Sequence, residues 1–337
     1  MTIASPTLSK KDFQTDQEVR WCPGCGDYAI LSAVQAVFPE LGIPKERFVV
    51  VSGIGCSSRF PYYMETYGFH TVHGRAPGIA TGIKLSNPEL SVWVVTGDGD
   101  ALAIGGNHFM HALRRNVDLK VLLFNNRIYG LTKGQVSPTS EKGKKTVSTP
   151  FGSIDRPFSP VSVALGAGAT FVARTVDRFG AHLQSVVERA ARHKGAALVE
   201  IYQNCNIFND GAFTSVTEKD NKVENALYLE HGKPMVFGKD GAKGLRLGAQ
   251  GLPEVVNAAE VPADALLVHD EHAPSPGPAF TLAHLDGPGF PVPLGVFRDV
   301  DCPTLDAEHV AQVARAKDAN KQSLQALLTG RNSWDVR

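Results

Sequence analysis

Cys22 and Cys25 stand in "RWCPGCGDYA", and Gly97-Asp98-Gly99-Asp100 closes the run "LSVWVVTGDGD". A C-x-x-C pair clamps a metal, shuttles electrons as a disulfide, or does nothing. The glycine-rich turn points to different chemistry. Its glycines let the backbone approach an anion, and a helix that starts there aims free N–H groups and a partial positive charge at it. An Asp in such a turn repels a bare phosphate, so it makes sense where a divalent cation bridges carboxylate and phosphate. Twenty-eight residues after Asp98, the next apolar run ends in Asn125-Asn126-Arg127-Ile128-Tyr129-Gly130. One strand–helix–strand unit sets the two strand ends side by side. Asn126 then offers an amide oxygen, and Ile128 a backbone carbonyl, to the ion held by Asp98. Mg²⁺ takes such oxygens together with those of a diphosphate. A lone G-D-G is an ordinary strand-to-helix turn; the Asn-Asn run at this distance gives it chemical meaning. The chain has no nicotinamide-type G-x-G-x-x-G in its first strand-to-helix turn.

Two further cysteines have suggestive settings. Cys56 lies in "SGIGCSSRF", directly after an apolar run, and Cys205 in "IYQNCNIF", just past another. Strand ends on one sheet edge converge, so distant cysteines can meet there. Four thiolates suit a 4Fe–4S cluster or a structural Zn²⁺, and spacing alone does not decide. A thioredoxin-type pair usually follows a first strand, and none precedes Cys22. Cys302, in "RDVDCPTL", reads as a free, inert thiol.

These residues need a scaffold. "DYAILSAVQAVFPELG" carries Ile30, Leu31, Val34, Val37 and Phe38 at helical spacing. Short, valine-rich runs bounded by turn residues follow at 47–55, 90–100, 119–127, 169–175 and 196–202. They read as buried parallel strands, with crossover helices over 75–86, 101–116 and 177–193. The fold class this predicts is α/β, a doubly wound, mostly parallel sheet. Residues 1–20 read as a polar arm, 21–210 as the main domain, and 211–337 as an irregular extension packed on it. That extension holds possible short strands at "KPMVFG", "ALLVHDE" and "PLGVFRD", and one or two amphipathic helices over Asp306–Leu328.

Bulk properties narrow the function classes. Lys+Arg and Asp+Glu are 34 each among 337 residues, so no charge excess argues for nucleic acid or a membrane surface. The first twenty residues lack an apolar run, which argues against a secretory leader. No stretch approaches the roughly 20 apolar residues of a membrane span. Five cysteines, an odd number, do not form a disulfide framework. A cytoplasmic protein is expected.

The chain resembles the β subunit of 2-oxoacid:ferredoxin oxidoreductases, most closely the 2-oxoglutarate type. The stretches that carry the resemblance are "RWCPGCGDYAIL", "VSGIGCSSRFPYY", "HTVHGRAPGIATG", "VTGDGDALAIGGNH", "FNNRIYGLTKGQ" and "SPTSEKGKKTVSTPFG". They lie within residues 15–215; the last third offers none. The resemblance implies a thiamine diphosphate-binding (diphosphate-domain) fold. It implies that Cys22, Cys25, Cys56 and Cys205 hold a 4Fe–4S cluster, and that Asp98, Asn126 and the carbonyl of Ile128 hold Mg²⁺. Thiamine diphosphate would be lined by Ile54, Gly55, Cys56, Ser57, His73, Gly99, Asp100, Gly130 and Leu131. Arg59 and Lys133 are candidates to meet the substrate, Arg59 by pairing bidentately with a carboxylate. "EKGKK" (141–145) reads as a solvated loop or a partner contact rather than a phosphate site.

The implied reaction converts 2-oxoglutarate, coenzyme A and oxidised ferredoxin to succinyl-CoA, CO₂ and reduced ferredoxin, possibly in either direction. Thiamine enzymes also need a carboxylate against the aminopyrimidine ring, and a second α/β domain supplies it. Residues 211–337 lack another strand–helix–strand series. An α subunit is therefore expected to complete the site, in an (αβ)₂ assembly. Three rival readings stay open: the same machine acting on pyruvate or another 2-oxoacid, a non-redox thiamine lyase with structural zinc, and an electron-carrier subunit.

Overall fold

A computed structural model describes residues 8–285, 289–319, 322–334 and 336. Among the described residues, eleven strands run in chain order: β1 (Phe48–Ser52), β2 (Tyr67–His70), β3 (Ser91–Gly97), β4 (Leu119–Asn125), β5 (Phe171–Val176), β6 (Ala197–Tyr202), β7 (Ala226–Leu229), β8 (Val236–Phe237), β9 (Lys243–Leu247), β10 (Pro253–Asn257) and β11 (Val292–Asp299). Eight of them form one sheet in the order β2-β1-β3-β4-β6-β5-β11-β7, while β8, β9 and β10 form a small antiparallel sheet. Within the large sheet only the β5–β11 pair is antiparallel.

The valine-rich strands are buried on both faces, which explains their unbroken apolar runs. Along β1, Val49 and Val51 pack into one core and Phe48 and Val50 into the other. The first core takes Ala76 and Ala80 from α2 (Ala76–Ser86), Phe109 from α3 (Gly106–Arg114) and Val161 from a short helix at Pro160–Gly166. The second takes Ile30, Val34 and Phe38 from α1 (Asp27–Glu40), spaced one turn apart, and Leu183 and Val187 from the helix Gly180–Arg192. Phe38 stacks on Phe48 at 4.3 Å between ring centroids.

The five valine-rich runs become β1, β3, β4, β5 and β6, and the three crossover helices form where periodicity put them, with trimmed ends. Over 101–116 the helix is preceded by a π-helical turn, Asp100–Ile104, of the kind that recurs at functional sites. Other parts differ from expectation. Residues 1–7 of the expected arm lie outside the described residues, but residue 8 onward is docked: Phe13 is fully buried between Phe38 and Phe48. The extension does not merely pack on the main domain. "PLGVFRD" becomes most of β11, which enters the large sheet between β5 and β7. "KPMVFG" yields only the two-residue β8, and "ALLVHDE" makes isolated bridges rather than a strand. Asp306–Leu328 contains two helices, Leu305–Ala319 and Leu324–Thr329.

A buried ion pair braces the strand that ends in the two asparagines. Arg174 on β5 donates to Glu200 on β6 at 2.7 Å, and Asn125 at the end of β4 donates to the other Glu200 oxygen at 2.7 Å. The rings of Tyr202 and Phe297 lie 5.2 Å from the guanidinium. Removing one partner of a buried pair strands the other charge. Arg174→Ala is therefore expected to lower stability by about 3–5 kcal/mol, read as a lower midpoint in chemical denaturation. An unchanged midpoint would show that the pair is dispensable.

Candidate active site

The register of the parallel strands sets the site at their carboxyl ends. Ser52 of β1 is level with Val95 of β3, and Gly97 of β3 with Phe124 of β4. The turns after β1, β3 and β4 therefore meet at one edge, where open α/β sheets bind ligands.

After β3, Asp98 is buried, and Ser137 and Thr139 donate their hydroxyls to one of its carboxylate oxygens. Burial pushes its carboxyl up to about 6 despite those donors. A carboxylate so desolvated is relieved by a cation. Asn126 holds its own turn by accepting from the Ile128 amide at 3.1 Å. Among the described residues, no hydrogen-bond donor reaches the Ile128 carbonyl. Gly99 is required for space: a Cβ there would lie 2.2 Å from the Tyr129 ring, whose hydroxyl donates to the Gly99 carbonyl at 3.1 Å.

Asp98, Asn126 and Ile128 line one pocket of about 130 Å³ together with Ile54, Gly55, Cys56, Ser57, His73, Gly99, Asp100, Gly130 and Leu131. The residues expected around the metal and the cofactor are thus gathered in one place. Oxygen donors of this type, around a buried carboxylate, fit Mg²⁺ with a diphosphate. Asp100 lines this pocket and also has a structural part. Its carboxylate is taken up by protein donors: Thr96 at 2.6 Å, the Gly74 amide at 2.7 Å, the Ile54 amide at 3.1 Å and the His73 ring at 2.5 Å. It staples three turns together. Gly53 makes room for it, since a Cβ there would lie 1.9 Å from an Asp100 oxygen.

Cys22, Cys25, Cys56 and Cys205 line a second cavity, of about 200 Å³. None is in a disulfide. A Cβ added at Gly130 would lie 3.5 Å from the Cys205 sulfur and 3.7 Å from that of Cys56, so this glycine lies against both sulfurs. Trp21 anchors the Cys56 carbonyl at 2.7 Å, and Gln203 donates to the Cys25 sulfur at 3.3 Å. Burial pushes the Cys56 thiol up to about 12 and raises that of Cys25 as well. Thiols in so desolvated a place become thiolates when a metal takes them. Four such sulfurs are the donor set of a structural zinc or of an iron–sulfur cluster. Cys302 is exposed and apart from this cavity.

Arg59 and Lys133 line the cysteine cavity and not the Asp98 pocket. Arg59 is held by the Arg20 carbonyl at 2.8 Å, and Lys133 sits at φ +75°, a strained backbone setting for a side-chain-bearing residue. Lys144, in the expected solvated loop, donates to Asn209.

Sequence reasoning missed four residues here. Ser137 and Thr139 hold Asp98, and the hydroxyl-rich "SPTS" was their only signal. Gln203 lines both cavities. Asp27, the first residue of α1, is buried, lines the Asp98 pocket and, among the described residues, has no hydrogen-bond partner for either carboxylate oxygen. Burial pushes its carboxyl up to about 7. The sequence hid it as an ordinary helix-start Asp. Elsewhere, His231, Glu271 and His272 gather closely enough for a metal, but Arg189 donates to both Glu271 oxygens, at 2.8 and 3.0 Å.

The comparisons with known proteins agree with this geometry. Residues 53–201 match the family of thiamine pyrophosphate enzymes, C-terminal TPP binding domain. The sheet and the pocket at its edge are therefore those of a thiamine diphosphate-binding domain. The 2-oxoglutarate oxidoreductase subunit KorB of Mycobacterium tuberculosis is 55% identical over 330 residues, covering 97% of this chain and 88% of that one. The 2-oxoglutarate synthase subunit KorB of Methanocaldococcus jannaschii is 42% identical over 64% of this chain and 81% of that one. The structure of 2-oxoglutarate:ferredoxin oxidoreductase from Magnetococcus marinus, with 2-oxoglutarate, coenzyme A and succinyl-CoA bound, matches with a TM-score of 0.77 at 32% identity, covering 96% of each chain. The chain belongs to the β-subunit family of 2-oxoacid:ferredoxin oxidoreductases, among the 2-oxoglutarate enzymes.

Proposed function

We propose that the chain is the cofactor- and cluster-bearing subunit of an enzyme that converts 2-oxoglutarate, coenzyme A and two oxidised ferredoxins to succinyl-CoA, CO₂, two reduced ferredoxins and a proton. The observation that carries this reading is the pairing of two sites through Cys56. It lines both the Asp98 pocket and the cavity of the four cysteines. When bound, thiamine diphosphate supplies the electron sink for decarboxylation and the 4Fe–4S cluster accepts electrons singly.

The chain's own residues do the rest. Asp98, Asn126 and the Ile128 carbonyl hold Mg²⁺, and through it the diphosphate. His73, Gly99 and Gly130 wall the cofactor, and Ile54 and Leu131 keep water from it. Cys22, Cys25, Cys56 and Cys205, which line one cavity beside the Asp98 pocket, hold the cluster. Arg59 and Lys133 offer cations at the cluster side for a carboxylate or for coenzyme A.

The carboxylate for the aminopyrimidine comes from an α subunit, and the surface supports such a partner. Edge strand β2 exposes Tyr67 and Phe69, and the loop after β4 leaves Val147, Phe151 and Ile154 at least 87% exposed. Apolar groups so displayed mark a docking surface. We take the assembly to be (αβ)₂. Among the described residues, no helix is long and apolar enough to cross a membrane. A thiol cage of this kind suits the reducing cytoplasm.

The test is reduction of ferredoxin by the co-expressed αβ complex. With coenzyme A present, 2-oxoglutarate is expected to support it and pyruvate to support it at least about tenfold less well. Equal rates would reassign the substrate. Zinc instead of iron in the purified complex, with no reduction, would leave a non-redox lyase.

A further inference from the structure

The hydrogen bonds around Asp100 decide which nitrogen of His73 carries a proton. One carboxylate oxygen accepts from the backbone amides of Gly74 and Ile54, and the other from the Thr96 hydroxyl. Backbone amides cannot reverse their role, so Asp100 is an acceptor. Nδ1 of His73 meets the same oxygen as the two amides, at 2.5 Å, and it must bring the hydrogen. In a neutral ring this leaves Nε2 with a bare lone pair.

The ring lines the pocket beside Asp98 and Asn126. Oxygens of a bound diphosphate only accept hydrogen bonds. A neutral His73 fixed in the Nδ1–H form would turn a lone pair toward them. We propose that cofactor binding draws one proton from solvent onto Nε2 of His73, leaving an imidazolium held between the Asp100 carboxylate and the diphosphate. This rests on the reading that the pocket takes thiamine diphosphate.

The surrounding charges favour that outcome. The turn after β3 brings Asp98 and Asp100, and the π-helical turn against Gly74 brings no other titratable group than Asp100. Tyr129 comes from the loop after β4, Cys56 from the turn after β1, and Asp27 from the start of α1. The nearest cation along the chain, Arg75, turns its guanidinium to the Ile104 carbonyl at 3.0 Å.

The test is calorimetry on the αβ complex freed of its cofactor. Thiamine diphosphate is titrated with saturating Mg²⁺ at about pH 7.5, where free imidazole is mostly neutral. Two buffers of different ionisation enthalpy give the number of protons taken up. His73→Gln supplies an N–H donor that needs no proton. This variant is expected to take up about one proton fewer than the wild type. Protons exchanged by Asp98, by the cofactor and by the partner subunit are common to both and cancel. Equal counts in wild type and His73→Gln overturn the proposal. So does a His73→Gln complex that melts like wild type but no longer binds, because the amide replaces the proposed hydrogen bond. Failure of the wild type to bind at all would instead remove the thiamine site itself.

Discussion

Asp98→Ala is expected to leave the αβ complex folded and brown but empty of thiamine diphosphate and without turnover. Asp98 is the only carboxylate among the three groups assigned to Mg²⁺, so its loss removes the charge that holds the ion. Changes in groups that merely orient a metal ligand cost roughly 10–100-fold in affinity or activity, and loss of a charged ligand should cost more. The truncation also leaves Ser137 and Thr139 without their shared acceptor. That penalty is about 1–3 kcal/mol for a buried polar group, partly offset because a buried carboxyl pushed up to about 6 no longer has to be desolvated. The cysteine cavity does not include Asp98. Visible absorbance and iron content should therefore match wild type while bound thiamine diphosphate, assayed after release, falls below detection. A variant that retains the cofactor and turns over normally would take the metal site away from Asp98.

The legible parts of this protein were those where local pattern and tertiary need coincide. β3 and β4 are valine- and leucine-rich runs that must be buried, and each ends in turn residues whose types only chemistry explains. Gly97-Asp98-Gly99 and Asn125-Asn126 can thus be placed at one sheet edge from the sequence alone. Edge strand β2 was not legible, because "YGFH" is short, exposed along its length and paired only with β1. β11 could be suspected as a strand, yet its place depends on pairing with β5 and β7, which are remote in sequence. The same distinction runs through the site. Residues that touch a ligand announce themselves by type and spacing. Those that hold such residues do not: Ser137, Thr139 and Gln203 look like any loop polar groups. Asp100 does both, since it lines the pocket while its carboxylate is held by Thr96, His73 and two backbone amides.

Cys205→Ser is expected to give the complementary phenotype: a colourless complex that keeps thiamine diphosphate but does not reduce ferredoxin. Cys205 lines the cysteine cavity and not the Asp98 pocket. A serine hydroxyl replaces the thiolate with a harder, far less acidic ligand, which a 4Fe–4S cluster retains poorly. Iron content should drop toward zero, and ferredoxin reduction should fall beyond the roughly 10–100-fold of an outer-shell change. Cys56→Ser should differ, because Cys56 lines both cavities and its carbonyl is fixed by Trp21. It should lose iron and also weaken cofactor retention. Cys302→Ser should change neither, since Cys302 is exposed and outside both cavities. The three variants together separate a cluster cage from a collection of buried thiols. If Cys205→Ser keeps its iron and its visible spectrum, the cage does not use that sulfur. The electron path from the thiamine pocket would then have to leave by another side of the sheet.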